Sequence, residues 1–397
     1  MENLCMQACP SRRSKAYSGS DMKLLFCHDH VFSFYRGNYY SPGKLDYKKF
    51  DVYLEKFSHI TCIARARQVE SIDNNYHQAN GNLVDIVGLE NPSSLWGLLN
   101  RRVLKRVIRD HIRKVDAVIV RLPSEIGIIA AQLAQEEGKP LLAEVVASAF
   151  DCLWYRGDIL AKIYAPFLEL RTAHVCETIP LLTYVTSNFL QSKYATQGCS
   201  YAISDVIINE VLLPRRWINK SSFTVGMIGN PDLKIKGLVT LIEAIQQIRS
   251  KGVDVNLEVL GGNGHGYMLR NGDVPGWVTF LGTFSNPGKV IGWLDQIDFY
   301  VQPSLTEGLP RSLIEAMSRG MPALGSNVGG IPELLLEAAL FAPCDSKQLA
   351  NSLFKAMVCP THYDELAKHS SETANKFNSK VLLQSRLDVL DKLSSLV

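Results

Sequence analysis

Short continuous apolar runs alternate along this chain with longer stretches in which apolar residues recur every three or four positions. Residues 23–27 (KLLFC), 59–65 (HITCIAR), 117–120 (AVIV), 141–146 (LLAEVV) and 183–186 (TYVT) read as strands of the first half. Residues 223–228 (FTVGMI), 256–260 (NLEVL), 277–281 (WVTFL), 298–302 (DFYVQ) and 322–325 do so in the second half. The helix-period stretch at 95–115 puts Trp96, Leu99, Val103, Val107, Ile108, Ile112 and Val115 on one face. Ser124 is placed to cap a helix over 125–137 that stops at Gly138, and Ser187 to cap one over 188–194. Further helices are predicted over Leu238–Arg249 and over 380–393. Strands alternating with helices of this length predict an α/β fold with doubly wound parallel sheets. Residues 35–49 have no such period and read as an aromatic, basic loop turning at Pro42-Gly43.

A chain of 397 residues is long for one core, so two domains are expected. Residues 1–21 hold Arg12, Arg13 and Lys15 with no apolar run behind them. They read as a disordered leader rather than a signal peptide, with Met22 an alternative start. The first domain is placed at 22–210, a linker containing Pro214 at 211–222, the second domain at 223–375 and a terminal segment at 376–397. Composition is that of a globular protein, 46% hydrophobic and 20% charged, and a net charge of +3 gives no reason to expect a nucleic-acid partner. Nine cysteines without a C-x-x-C argue against a zinc site or disulfide framework and for a reducing compartment. No apolar run reaches the length of a membrane span.

The densest chemistry lies at 298–333. A strand runs into a polar turn bearing Glu307 and Gly308, a helix opens at Pro310 and stops at Gly320, and a second strand ends near Gly329-Gly330. A strand feeding a helix start is the anion-binding geometry of open α/β sheets. Glu307 and Glu315 stand there with seven residues between them. Taken alone they have plainer readings, Glu315 as a surface salt bridge with Arg311 and Arg319 and Glu307 as a loop solubiliser. Upstream lie Gly229-Asn230, Lys234 and Lys236-Gly237, then the glycines at 261–266. The latter do not fit a dinucleotide fingerprint, and no proper helix start is expected after them. A turn that lets a planar base approach the backbone at Gly262 suits them better.

Crevices in such sheets lie at the carboxyl ends of strands, which makes His28, His30, Arg121 and Asp151 cleft candidates. A metal at His28 and His30 is set aside, on the expectation that the two imidazoles point to opposite sides and because no further ligand is near. The polar side of 95–115 carries Arg101, Arg102, Lys105, Arg106, Arg109, Arg113 and Lys114 against Asp110 alone. That is either a solvated face or an electrostatic docking surface for anionic lipid, at about 1 kcal/mol per basic residue.

The order of strand, Gly-Asn…Lys-Gly, Gly-Gly-Asn-Gly, Phe-Leu-Gly and Glu-bearing loop, from Phe223 to Pro343, resembles the GT4 family of retaining glycosyltransferases. Its E-x7-E motif is matched by Glu307 and Glu315. In the first half, LLAEVVASAFDCLWYRG and YVTSNFLQSKY look like the bacterial branch that builds O-antigen, capsule or exopolysaccharide on lipid-linked sugars. The resemblance implies a GT-B fold, two Rossmann-like domains facing a central cleft. It also implies a nucleotide-diphosphate sugar donor and a glycan or polyprenyl-linked acceptor, with no cofactor and no metal. The absence of any D-x-D agrees with the last point. A cytoplasmic setting follows, with basic residues 101–114 as a peripheral contact at the inner membrane.

By position, Lys236 matches the lysine that grips the diphosphate and Glu307 the residue that faces the donor sugar. Glu315 matches the ribose ligand, and Gly308 and Leu309 supply backbone N–H groups to phosphate. Gly229, Asn230 and Gly262 complete the donor side. Asn230 departs from the family, which usually has an arginine there, and Ala147-Ser148 stand where many members have a histidine. Two rival readings remain, a nucleotide-sugar epimerase and a non-catalytic donor-binding subunit. The last helix is implied to pack back on the first domain.

Overall fold

The computed structural model describes residues 21–43, 45–73, 75–92, 100–155, 158–284 and 286–397. Residues 1–20 of the leader expected over 1–21 and the start of the predicted helix, with Trp96 and Leu99, lie outside the described residues.

The first sheet contains β1 (Lys23–Tyr35), β2 (Asn38–Ser41), β3 (His59–Gln68), β4 (His77–Gln78), β5 (Val84–Leu89), β6 (Ala117–Leu122), β7 (Leu141–Val145), β8 (Leu181–Tyr184) and β9 (Cys199–Ala202). Its parallel body has the order β5-β3-β1-β6-β7-β8-β9, with β2 and β4 added antiparallel along the far half of β1. Leu24, Leu25, Phe26 and Cys27 are fully buried because helices cover both faces of a parallel sheet. Strand β1 does not stop at Cys27 as the apolar run suggests. A register shift between Cys27 and Val31 passes over the His28–His30 stretch, after which the strand goes on pairing with β3 and turns into β2. Much of the loop predicted over 35–49 is this hairpin, turned at Arg36 and Gly37, both with positive φ. Pairing, which a single-chain period does not show, overrides the polar composition here.

The second sheet holds β10 (Ser222–Ile228), β11 (Asp254–Leu260), β12 (Val278–Phe280), β13 (Phe299–Gln302), β14 (Ala323–Ser326) and β15 (Leu340–Phe341). All its pairs are parallel in the order β12-β11-β10-β13-β14-β15, so the winding reverses between β10 and β13. A crevice opens at the carboxyl ends of strands flanking such a reversal. Val225, Met227, Tyr300, Val301 and Leu324 are buried beneath it, and helix Leu238–Arg249 covers one face as predicted.

After β9 the chain runs irregularly to β10, bridging at Ile208 to Asn378. The final helix, Ser379–Ser394, returns to the first domain and places Val389, Leu390 and Leu393 in its core. Lys56 pairs with Asp391 at 2.6 Å, and Arg386 donates to the Ser204 carbonyl at 3.0 Å.

Candidate active site

The loop after β13 is built up from the core by hydrogen bonds. Gln302 is buried, and its Oε1 accepts from the Tyr300 hydroxyl at 2.8 Å and from Ser312 Oγ at 3.1 Å. Its Nε2 donates to Ser304 Oγ at 2.8 Å and to Glu307 Oε1 at 3.2 Å. The same Glu307 oxygen accepts from Ser304 Oγ at 2.8 Å and from Lys236 Nζ at 2.6 Å. A satisfied buried network of this kind locks rotamers, so Glu307 is held in one orientation. Pro310 sits at the N-cap of helix Arg311–Met317, one place earlier than the first helical position expected of it, and Gly320, expected just past the helix end, has a left-handed φ of +70°.

Lys236 arrives on a short 3-10 turn, Lys234–Lys236, closed by Gly237 at φ +70°. A Cβ on Gly237 would fall 1.8 Å from the Pro303 carbonyl oxygen, so only glycine fits where the two loops meet. The Leu305 amide donates to the Ile235 carbonyl at 2.8 Å and ties the same loops through the backbone.

Glu315 does not form the ladder that its spacing allows. Arg319 instead clamps Asp295 at 2.8 and 3.1 Å and reaches Glu210 at 3.1 Å. Burial holds the Glu315 carboxyl above its ordinary range, and nearby Arg311 offsets only part of this. Asn230 spends its side chain locally, Oδ1 accepting from the Asp232 amide at 2.9 Å in an Asx turn. Gly229 and Gly262 pack around it: a Cβ on Gly229 would lie 3.2 Å from the Lys236 side chain, and one on Gly262 3.4 Å from Asn230 Oδ1. A helix does follow Gly264, contrary to expectation, over His265–Asn271. From it Arg270 reaches back to the Asp232 carbonyl at 2.7 Å and lines the cleft beside Lys234 and Lys236. Sequence reading missed Arg270 because a short glycine-led helix has too few turns to show a period.

Across the cleft stand Ala147, Ser148, Asp151, Cys152 and Tyr155 from the first domain. Asp151 is the one N-terminal candidate that lines it, with Lys193 Nζ 3.7 Å from its carboxylate. The domains touch closely at one edge. A Cβ on Gly308 would lie 2.9 Å from the Val146 carbonyl oxygen, and one on Gly330 3.0 Å from Thr186 Cγ2. There the Glu333 carboxylate accepts from the Ser187, Asn188 and Phe189 amides at 2.5, 3.0 and 2.6 Å. It caps helix Phe189–Lys193 from the other domain, the task that sequence reading gave to Ser187.

The remaining candidates are engaged elsewhere. Arg121 donates to Asp205 at 3.0 Å and lies 3.9 Å from Glu144, in a cavity bordered by Tyr53 and Arg386 beside the final helix. His28 and His30 stack at 6.4 Å with an interplanar angle of 15°. They share one side of β1 because alternate residues of a strand face the same way, which corrects the expectation of opposite sides. His28 is kept neutral, its pKa lowered to about 3 by burial and by the Arg121 charge. Asp29 between them caps helix Glu125–Glu136, accepting from the Glu125 and Ile126 amides at 2.8 and 3.1 Å. Among the described residues no three ligand-type side chains are grouped to hold a metal ion. On helix Arg101–Ile112 and just after it, Arg109 and Arg113 pair with Glu137 at 3.1 and 2.8 Å, whereas Arg102, Lys105, Arg106 and Lys114 stay exposed.

Residues 222–357 match the family model described as glycosyl transferases group 1. Protein CapJ of Staphylococcus aureus is 29% identical over 363 residues, 90% of this chain and 92% of CapJ. The amylovoran biosynthesis glycosyltransferase AmsK of Erwinia amylovora is 29% identical over 177 residues, 40% of this chain and 42% of AmsK. The crystal structure of Anabaena HepE in complex with UDP superposes with a TM-score of 0.63 at 16% identity, covering 94% of this chain and 100% of HepE. Two Rossmann-like domains facing a cleft are thus the GT-B arrangement.

Proposed function

We propose that the chain is a group 1 glycosyltransferase, a retaining enzyme acting in the biosynthesis of a bacterial surface polysaccharide. It moves a sugar from a nucleoside-diphosphate donor to a glycan or polyprenyl-linked acceptor. The observation that supports this best is the Lys236–Glu307 pair, 2.6 Å apart in the cleft beside a helix start. AmsK, by its name, is a glycosyltransferase of amylovoran biosynthesis, and HepE was solved in complex with UDP, which support a transferase reading and a nucleotide donor.

In the reaction, the bond from the anomeric carbon to the diphosphate oxygen breaks and the electron pair leaves with the nucleoside diphosphate. The acceptor oxygen bonds the same face of that carbon, and its proton passes to the departing phosphate, so no dedicated side-chain base is needed. The developing negative charge is met by Lys236, whose ammonium keeps donors to spare beyond Glu307, and by the Gly308 and Leu309 amides at the helix end. Arg270 and Lys234 supply cationic charge that Asn230 does not. Glu307 faces the sugar, and Glu315 binds the ribose. The cleft's own cations make a metal unnecessary in this scheme.

The test is nucleotide release from a panel of UDP-, GDP- and ADP-sugars with a lipid-linked acceptor. Release is expected with one donor and is lost in Glu307→Ala; transfer that survives this change intact would sink the assignment. Interconversion of the sugar without acceptor supports an epimerase, and binding without turnover a non-catalytic subunit.

A further inference from the structure

Helix Ile159–Thr178 is apolar on two sides. One side buries Ala161, Ala165, Leu168 and Val175 in the first domain. The other exposes Ile159, Leu160, Ile163, Phe167 and Leu170, each 59–79% exposed. Their spacing sets them in one stripe along the outer face. Isolated apolar residues on a surface need no explanation, but a contiguous stripe of five does. The exposed positions from Ile159 to His174 include Lys162 and no carboxylate, and the exposed carboxylates of this helix stand beyond the stripe, Asp158 at its cap and Glu177 in its last turn. None of the described helices is long and apolar enough to cross a membrane.

We propose that this stripe seats the protein on an anionic lipid bilayer, with the outer face of the helix lying in the headgroup boundary. A helix with one face buried in protein and a bare apolar face bordered by basic residues has the form of an interfacial anchor. On the helix itself Lys162 and Arg171 stand to either side of the stripe, Arg171 being paired with Glu125. Glu125 lies 3.9 Å from Arg101 and 2.5 Å from Arg171, so the basic helix Arg101–Ile112 and the apolar helix flank helix Glu125–Glu136 on one side of the sheet. Arg102, Lys105 and Arg106 are exposed on that basic helix, one helix over from the stripe. A second copy docking stripe to stripe would bring these cations together, whereas anionic headgroups would neutralise them. The short helix Ala149–Trp154, which precedes the stripe, leads from the cleft wall to half-exposed Trp154 and Tyr155. The Lys162 ammonium sits 5.7 Å from the Trp154 ring centroid, an aromatic–basic pairing suited to a headgroup layer. Seated this way, the cleft opens beside the lipid surface from which a polyprenyl-linked acceptor would enter. That last step rests on the proposed transferase reading, whereas the seating itself does not.

Flotation of the full chain with phosphatidylcholine vesicles, with and without phosphatidylglycerol, tests the seating at low and high salt. Binding is expected to anionic vesicles. It should fall at least about tenfold in Ile163→Glu/Phe167→Glu while thermal melting is unchanged, because both positions are exposed. Arg102→Ala/Lys105→Ala/Arg106→Ala should lose binding in a salt-dependent way. Val381→Glu, at an exposed apolar position on the final helix, should bind as wild type. If the double variant does not fold, Leu160→Ser/Leu170→Ser makes the same comparison. Undiminished binding by the stripe variants, or no vesicle binding by the wild type, would overturn the proposal. A wild-type dimer made monomeric by the double variant, without vesicle binding, would assign the stripe to a second copy instead. In parallel, the double variant should keep nucleotide release with a water-soluble acceptor and lose transfer to a vesicle-held one. Vesicle binding with no transfer under any condition would leave the seating standing and count against the transferase reading.

Discussion

Glu307 on the C-terminal wall of the cleft is fixed by donors from Lys236, Ser304 and Gln302, all within one domain and most within a few residues. Opposite it, the N-terminal wall offers Ala147, Ser148 and Asp151, while that domain's more conspicuous polar residues are engaged in holding its own structure. Asp29 caps a helix, Arg121 is bound to Asp205, and half-buried His28 is kept neutral. A diphosphate is the same ligand whatever sugar it carries, so on the proposed transferase reading the wall that would receive it can be a rigid, locally encoded motif. The facing wall has no such fixed requirement and is assembled from side chains of ordinary type.

The sharpest test of this contrast compares the two carboxylates. Glu307→Gln should lower transfer by about 10²–10³, the loss typical of removing one preorganised group from a reacting centre. Asp151→Asn should cost less than about tenfold in the same nucleotide-release assay. Equal losses would break the comparison. The next pair separates a site network from a structural one. Gln302→Leu strands the Tyr300 and Ser312 hydroxyls, and Arg121→Met strands Asp205, each at about 1–3 kcal/mol in chemical denaturation. Only the first should also depress transfer in the protein that remains folded. Gly308→Ala places a methyl 2.9 Å from a backbone oxygen of the other domain and should slow transfer about tenfold, with substrate binding weakened less.

The smallest effect concerns pH. Burial raises the Glu315 carboxyl above its unfolded value, so its ionisation opposes folding. The penalty is absent below the unfolded pKa of about 4.3 and complete once pH has passed the folded value. Glu315→Gln is therefore expected to be more stable than wild type at neutral pH, to lose that advantage as pH falls through this window, and to bind nucleotide less well. Denaturant melts across this range check the sign.

Much of the local structure of the C-terminal cleft wall was legible because its signals are local. Pro310, Gly320 and the two glutamates lie within one strand–loop–helix, and Lys236-Gly237 announces the loop that meets it. What escaped was non-local or lay below the length at which a period shows. Asp29 caps a helix that begins 96 residues on, and Glu333 caps one from the other domain, 144 residues away from the Phe189 amide. No spacing in the chain reports such partners. Gln302 ends the strand expected over 298–302 and carries no signal of its own in the sequence, yet it is the buried hub of the network. The exposed stripe on Ile159–Thr178 was hidden for a different reason: apolar residues on both sides of a helix cancel the periodic signal that would mark either one.

The tight edge where Gly308 meets Val146, Gly330 meets Thr186 and Glu333 holds residues 187–189 works as a fulcrum. With no clearance left there, the domains cannot slide together, and any further narrowing over a bound donor must be a rotation about that line. A rotation gives displacements that grow with the lever arm, so groups beside the fulcrum, Glu307 among them, hardly shift. Those far from it sweep the most. The reacting centre would then stay in register while the mouth of the cleft opens and shuts.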